Sequence, residues 1–238
     1  MITALANPQR FMALSRWLAP TLGVIAAALA CVGLGMGLNA PPDYQQGSTV
    51  LIMFVHVPAA WLGMFAYGCL AGSAFFGLIF RHSLADAAAR AAAPLGAGFA
   101  LLALVTGSLW GRPMWGAWWV WDARLTSELI LFLFYVGYIA LQAAIDDEAK
   151  AARASSILAL VGAINLPIVH YSVVWWNSLH QGESIFVKGG PLLSAVYLWP
   201  LGLMGLAYTV GFGALWLVRI RAEVWRRRAG ALAVQAAR

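Results

Sequence analysis

The sequence predicts an all-α integral membrane protein of six transmembrane helices, with both termini cytoplasmic and a tryptophan-rich loop on the opposite side. Three observations predict it. The chain is 62% hydrophobic and only 10% charged, which leaves too little polar surface to cover a water-soluble globule. Uncharged stretches recur, each long enough for the roughly 20 apolar residues that a helix needs to cross hydrocarbon. The Lys and Arg residues gather almost entirely on one side of those stretches.

The spans follow from the uncharged runs. The first covers about 17–38, between Arg16 and Asp43. The run over 44–80 is too long for one crossing, so the second span is placed at 59–80 and 44–58 becomes a loop. The third runs over about 91–110, the fourth 129–145, the fifth 154–171 and the sixth 194–218. Residues 1–238 thus form one six-span domain with outer loops at about 39–58, 111–128 and 171–193. Short connections suit a compact bundle. Arg10 and Arg16 precede an apolar run too long for the core of a cleaved signal, so the first span is read as retained.

Of 15 Lys and Arg residues, 12 fall on the side of the termini, and only Arg112, Arg124 and Lys188 fall on the other. The net charge of +6 therefore reports topology and an anionic inner leaflet rather than nucleic-acid binding. Cys31 and Cys69 both lie within spans, so no outer disulfide framework exists, and no CxxCH occurs for covalent haem attachment. No ionisable group stands deep in a span, with Glu128 at the head of the fourth, which disfavours an ion-coupled carrier. No phosphate loop or HExxH occurs, so any ATP-driven step belongs to another polypeptide and hydrolytic chemistry has no support. The spacings Gly33 to Gly37, Gly68 to Gly72 and Gly107 to Gly111 permit close helix approach, and most such spacings mean only packing.

Chemistry is thereby confined to the outer loops. Between Trp110 and Glu128 the chain carries five of its 12 tryptophans, together with Arg112, Asp122, Arg124 and Glu128. An aromatic belt at the headgroups is the plain explanation of tryptophan in a membrane protein. Five in one loop fit a flat ligand or a partner better. A helix over 114–125 would place Trp115, Trp118, Trp119 and Asp122 on one face, and the guanidiniums of Arg112 and Arg124 suit propionate carboxylates. His56 and His180 stand in the two flanking loops, His170 ends the fifth span and His82 is cytoplasmic. A single His at a membrane boundary is usually an interfacial polar residue. Two imidazoles around an aromatic platform suit the axial positions of haem iron.

At these residues the chain resembles a known family. WGRPMWGAWWVWDARLTSEL resembles the tryptophan-rich (WWD) signature of the haem-handling superfamily. HVPAAW at His56 and NLPIVHYSVVWWNSLHQG around His180 resemble its haem exporter protein C (CcmC) branch. The resemblance spans most of the chain and weakens at both termini and over 183–191. It implies a bacterial inner-membrane protein of cytochrome c maturation that holds haem b non-covalently and transiently on its periplasmic face. His56 and His180 match the axial ligands, and Trp115, Gly116, Trp118, Trp119, Trp121 and Asp122 match the signature. The implied partners are the periplasmic haem chaperone CcmE, the small membrane protein CcmD and the ATP-binding cassette pair CcmA and CcmB. The expectation is haem delivery rather than enzymatic catalysis. Two alternatives are a cytochrome c haem lyase, whose relatives are larger and carry more spans, and the permease subunit of an ABC haem exporter, which the short inner loops disfavour. No polar path through the spans is visible in the sequence.

Overall fold

The computed structural model describes residues 7–180, 182, 184–185 and 187–236. Among these the chain is helical, with no named strand and a single isolated bridge between Asp43 and Gly47. The helices are α1 (Pro8–Leu38), a 3-10 turn (Ser48–Ile52), α2 (Met53–Phe80), α3 (Ser83–Trp115), α4 (Ala123–Ala144), α5 (Glu148–Gly162), α6 (Asn165–Trp175) and α7 (Ala195–Ala236). Among the described residues six helical stretches are long and apolar enough to cross a membrane, α5 and α6 together making the fifth. The protein is a multi-pass membrane protein of six spans.

Local chemistry explains where the helices begin and end. Asn7 caps α1, its side chain accepting from Gln9 N–H at 2.8 Å, with Pro8 at the first helical position, where its missing N–H costs nothing. His82 caps α3, its ring nitrogen accepting from Ala85 N–H at 3.2 Å. That is a structural task, in keeping with the plain reading of this histidine. Asp147 caps α5 by accepting from Ala149 and Lys150.

Two boundaries differ from the sequence reading in ways that matter for the site. Helix α2 starts at Met53, so His56 sits in a helical first turn rather than in a loop. Pro58 is the sixth residue of α2, inside the helix, and its missing N–H removes one bond, to Phe54 O, from the second turn. The helix expected over 114–125 does not form. Gly116 adopts the left-handed conformation (φ 75°) and ends α3 at Trp115, a conformation that costs glycine little. Residues 116–122 are non-helical, and Asp122 starts α4. Trp115, Trp118, Trp119 and Asp122 are therefore not one helical face.

The core is built on close approach. Tyr135 of α4 lies fully buried and donates its hydroxyl to Gly63 O of α2 at 2.8 Å. A Cβ on Gly96 of α3 would collide with that hydroxyl oxygen. Tyr67 meets Tyr135 edge to face at 4.9 Å, and Leu70, Ala92, Ala100 and Leu131 fill in around them. Along α1 the expected small-residue packing holds at Gly33, against Leu203 and Met204 of α7, and at Gly37, against Phe54. Gly68 and Gly72 have nothing within 4 Å of an added Cβ, so their spacing serves no packing within the described chain. The fifth span breaks between Gly162 and Asn165, where the Asn165 amide donates to Ser127 O of α4 at 2.9 Å. Cys31 and Cys69 are free thiols.

Candidate haem site

Residues from α2, α3, α4 and the loops after α3 and α6 converge on one cavity of about 60 Å³. His56, Gly107, Trp119, Arg124, Glu128 and His180 are in its lining. The two histidines singled out from sequence, 124 positions apart (180 − 56), thus face a common space. His170 does not join them. It lines a separate groove with Trp61, Phe65 and Tyr171 and packs edge to face on Tyr171 at 4.6 Å.

Each imidazole is held through its Nδ1. His56 Nδ1 lies 3.1 Å from Ala103 O and 3.1 Å from Thr106 Oγ1. A carbonyl oxygen only accepts, so Nδ1 carries the proton. Thr106 spends its own hydroxyl proton on Leu102 O at 2.6 Å and can accept from the ring. His180 Nδ1 lies 3.3 Å from Asp122 Oδ2, and a carboxylate likewise calls for a proton on Nδ1. In both rings Nε2 keeps its lone pair, the arrangement that fixes tautomer and orientation in metal-binding histidines. Gly107 leaves room for the first ring, since an added Cβ would fall 3.0 Å from His56 Cε1.

Asp122 is the junction of the loops. Its Oδ1 accepts from Leu125 N–H at 2.8 Å and so caps α4. Its Oδ2 accepts from Ser178 Oγ at 2.6 Å and from His180 Nδ1. Burial works against the charge on this carboxyl, but hydrogen bonds from Ser178, the Leu125 amide and His180 outweigh it and hold Asp122 below the usual carboxylate range. Burial pushes His180 below its ordinary value, opposed by the Asp122 hydrogen bond. The ring therefore stands neutral at pH 7, as a metal ligand must.

The tryptophans divide into two groups. Trp115 packs edge to face on His180 at 4.9 Å, and Trp119 lines the cavity and meets Trp121 at 5.4 Å. Trp118 and Trp121 are 57% and 74% exposed, which places them outside the cavity wall. Arg124 donates to Val169 O at 2.9 Å and His170 O at 3.3 Å, docking the cavity wall onto the middle of α6. Arg112, the other propionate candidate, binds Gly116 O at 2.7 Å on the surface and does not reach the cavity.

Sequence reasoning missed several members of the site. Thr106 and the Ala103 carbonyl orient His56, Ser178 fixes Asp122, and Glu128 reaches the cavity wall at 7% exposure. The last had a legible signal, a carboxylate one turn after Arg124 on an otherwise uncharged helix. The others show only once the segments meet.

Among the described residues no group of three or more His, Cys, Asp or Glu could hold a metal ion. Two imidazoles make a poor site for a bare ion and a sufficient one for a metal that brings its own equatorial ligands. The apolar part of the lining, Ala60, Leu104, Trp119 and Leu125, suits the ring of such a group.

Comparison with known proteins gives a consistent family. The family model described as heme exporter protein C matches residues 1–235. Heme exporter protein C of Bradyrhizobium diazoefficiens is 54% identical over 228 residues, covering 96% of this chain and 87% of the relative. That of Escherichia coli K12 is 52% identical over 181 residues, 76% of this chain and 74% of the relative. That of Paracoccus denitrificans is 46% identical over 228 residues, 95% of each.

Proposed function

This chain belongs to the heme exporter protein C family, and from that premise we propose that it binds haem between His56 and His180 on the periplasmic face of the bacterial inner membrane. Membership makes it a component of haem transport and cytochrome c maturation. The finer reading is that it presents haem to the periplasmic chaperone CcmE within a complex that includes CcmD, CcmA and CcmB. Haem is cargo here, held non-covalently as haem b and passed on, so the protein's task is delivery rather than bond making.

The observation that carries this reading is the pair of imidazoles lining one cavity, each with Nδ1 engaged and Nε2 available. His56 and His180 would hold the haem iron through their Nε2 atoms. Trp119 and Trp115 supply an apolar edge, and Arg124 offers its remaining guanidinium donors to a propionate. The exposed Trp118 and Trp121 form the rim across which a chaperone would approach. Asp122 works through His180, as a positioning residue. The charge asymmetry of the loops supports the periplasmic placement of this end of the bundle.

The test is a visible spectrum of the purified protein and its variants. Wild-type protein should carry haem with a bis-imidazole spectrum. His56→Ala and His180→Ala should each reduce haem content and CcmE loading, while His82→Ala, which alters only a helix cap, should do neither. Wild-type haem content and loading in the double His56/His180 variant would overturn the proposal.

A further inference from the structure

Glu128 is the one cavity-lining acid, and the reading above leaves it without a task. It lies on the second turn of α4, 93% buried (100 − 7), in the same wall as both imidazoles. Its Oε1 is sealed from solvent and has no hydrogen-bond partner among the described residues. Arg124 stands one turn earlier in the same lining, and its charge acts on Glu128 without a hydrogen bond to Oε1. The backbone opposite is cut away for this carboxyl, since a Cβ on Gly63 of α2 would come within 3.2 Å of Oε1. Trp119 Nε1, in the same wall, is buried and unpartnered too.

An orphaned buried acceptor costs free energy unless something occupies the space before it. Tyr135 pairs across the helix interface with Gly63 O and Asn165 with Ser127 O, whereas the unpartnered Tyr67 hydroxyl lies in the core away from the cavity. The geometry instead aims a carboxylate at a cavity whose other polar groups are two iron-ligand candidates and a guanidinium. Ferric haem with two neutral imidazoles carries one more positive charge at its centre than ferrous haem. A buried carboxylate close by therefore favours the ferric form through the weakly screened interior.

We infer that Glu128 is the internal counter-charge of the haem site and sets which oxidation state of iron the site holds. The inference rests on haem lying between His56 and His180. It makes Glu128 a tuning residue that touches neither the iron nor the covalent chemistry of a later acceptor.

The experiment is a redox titration of the haem-loaded full-length protein at one fixed pH near neutrality, comparing wild type, Glu128→Gln and Glu128→Asp. Two unit charges on the order of 10 Å apart at an effective dielectric of about 20 change a ferric-to-ferrous preference by roughly tenfold, which is about 59 mV for one electron. Glu128→Gln, nearly isosteric, should raise the midpoint by about that amount and keep the bis-imidazole spectrum. Glu128→Asp, which keeps the charge, should stay near wild type. A Glu128→Gln protein with wild-type spectrum and unchanged midpoint overturns the inference and leaves the haem site standing. A wild-type protein without haem, or without a bis-imidazole spectrum, overturns the site itself. If Glu128→Gln does not accumulate, Glu128→Asp decides, because a midpoint raised as far as a neutral side chain would raise it also overturns the inference.

Discussion

Replacing Asp122 separates positioning of His180, the proposed haem ligand, from stability of the loop that carries it. The carboxylate caps α4 through Leu125 N–H, accepts from Ser178 Oγ at 2.6 Å and orients His180 through Nδ1 at 3.3 Å. Asn is as good a helix cap as Asp, so Asp122→Asn should fold and insert normally. It loses the charge that holds the imidazole, and a lost carboxylate behind a metal-bound histidine typically costs 10- to 100-fold in affinity, or about 1.4–2.7 kcal/mol. Asp122→Ala adds the lost cap, about 1 kcal/mol, and strands Ser178. It should therefore lower both haem affinity and thermal stability, whereas Asp122→Asn should lower affinity alone. The assay is a haem titration in detergent followed at the Soret band, paired with a thermal melt of the haem-free protein. Asp122→Asn binding haem as tightly as wild type would refute the reasoning, because the Asp122 contact would then serve only to pack the loop.

Thr106→Val removes one of two acceptors from His56 Nδ1 and leaves Ala103 O at 3.1 Å, so its effect on haem affinity should stay under about tenfold, the low end of the range for such partners. Gly107→Ala would push a methyl to 3.0 Å from His56 Cε1, and the displaced ring should give lower haem content at near-normal stability, read from the Soret-to-protein absorbance ratio. Gly96→Ala should destabilise the bundle by about 2–4 kcal/mol, combining overpacking with loss of the Tyr135 hydrogen bond to Gly63 O, visible as a reduced melting temperature. Trp119→Phe should lower haem retention, while Trp118→Phe, on a side chain 57% exposed, should spare haem retention and reduce transfer to the chaperone in a reconstituted loading assay.

The membrane class and the six spans were legible because hydropathy and uncharged length are local properties, set by the cost of placing charge in hydrocarbon. Part of the cavity lining was legible too, since His56, Trp119, Arg124 and His180 were singled out by residue type and all line one cavity. The ends of the helices were less so. Whether 114–125 would be one helix turned on Gly116, whose positive φ breaks a run of good helix-compatible residues, and the same periodicity arguments would have passed over it. His56 likewise read as a loop residue because the uncharged run over 44–80 exceeds one crossing and the span was placed at 59–80, whereas the helix itself already begins at Met53.

What the sequence by itself determined is therefore the kind of protein and the inventory of its candidate site: six spans, two histidines, a tryptophan cluster and an acid. What only the tertiary structure decided is the pairing. His56 is aimed by Ala103 and Thr106 from the neighbouring helix, and His180 by Asp122 from 58 residues away. Trp119 faces in and Trp121 faces out. Glu128, which in sequence only heads a span, is sealed into the cavity wall opposite Gly63. The physical reason is range: composition and periodicity are written along the chain, whereas an orienting hydrogen bond or a buried, unpaired charge exists only after distant segments have packed against one another.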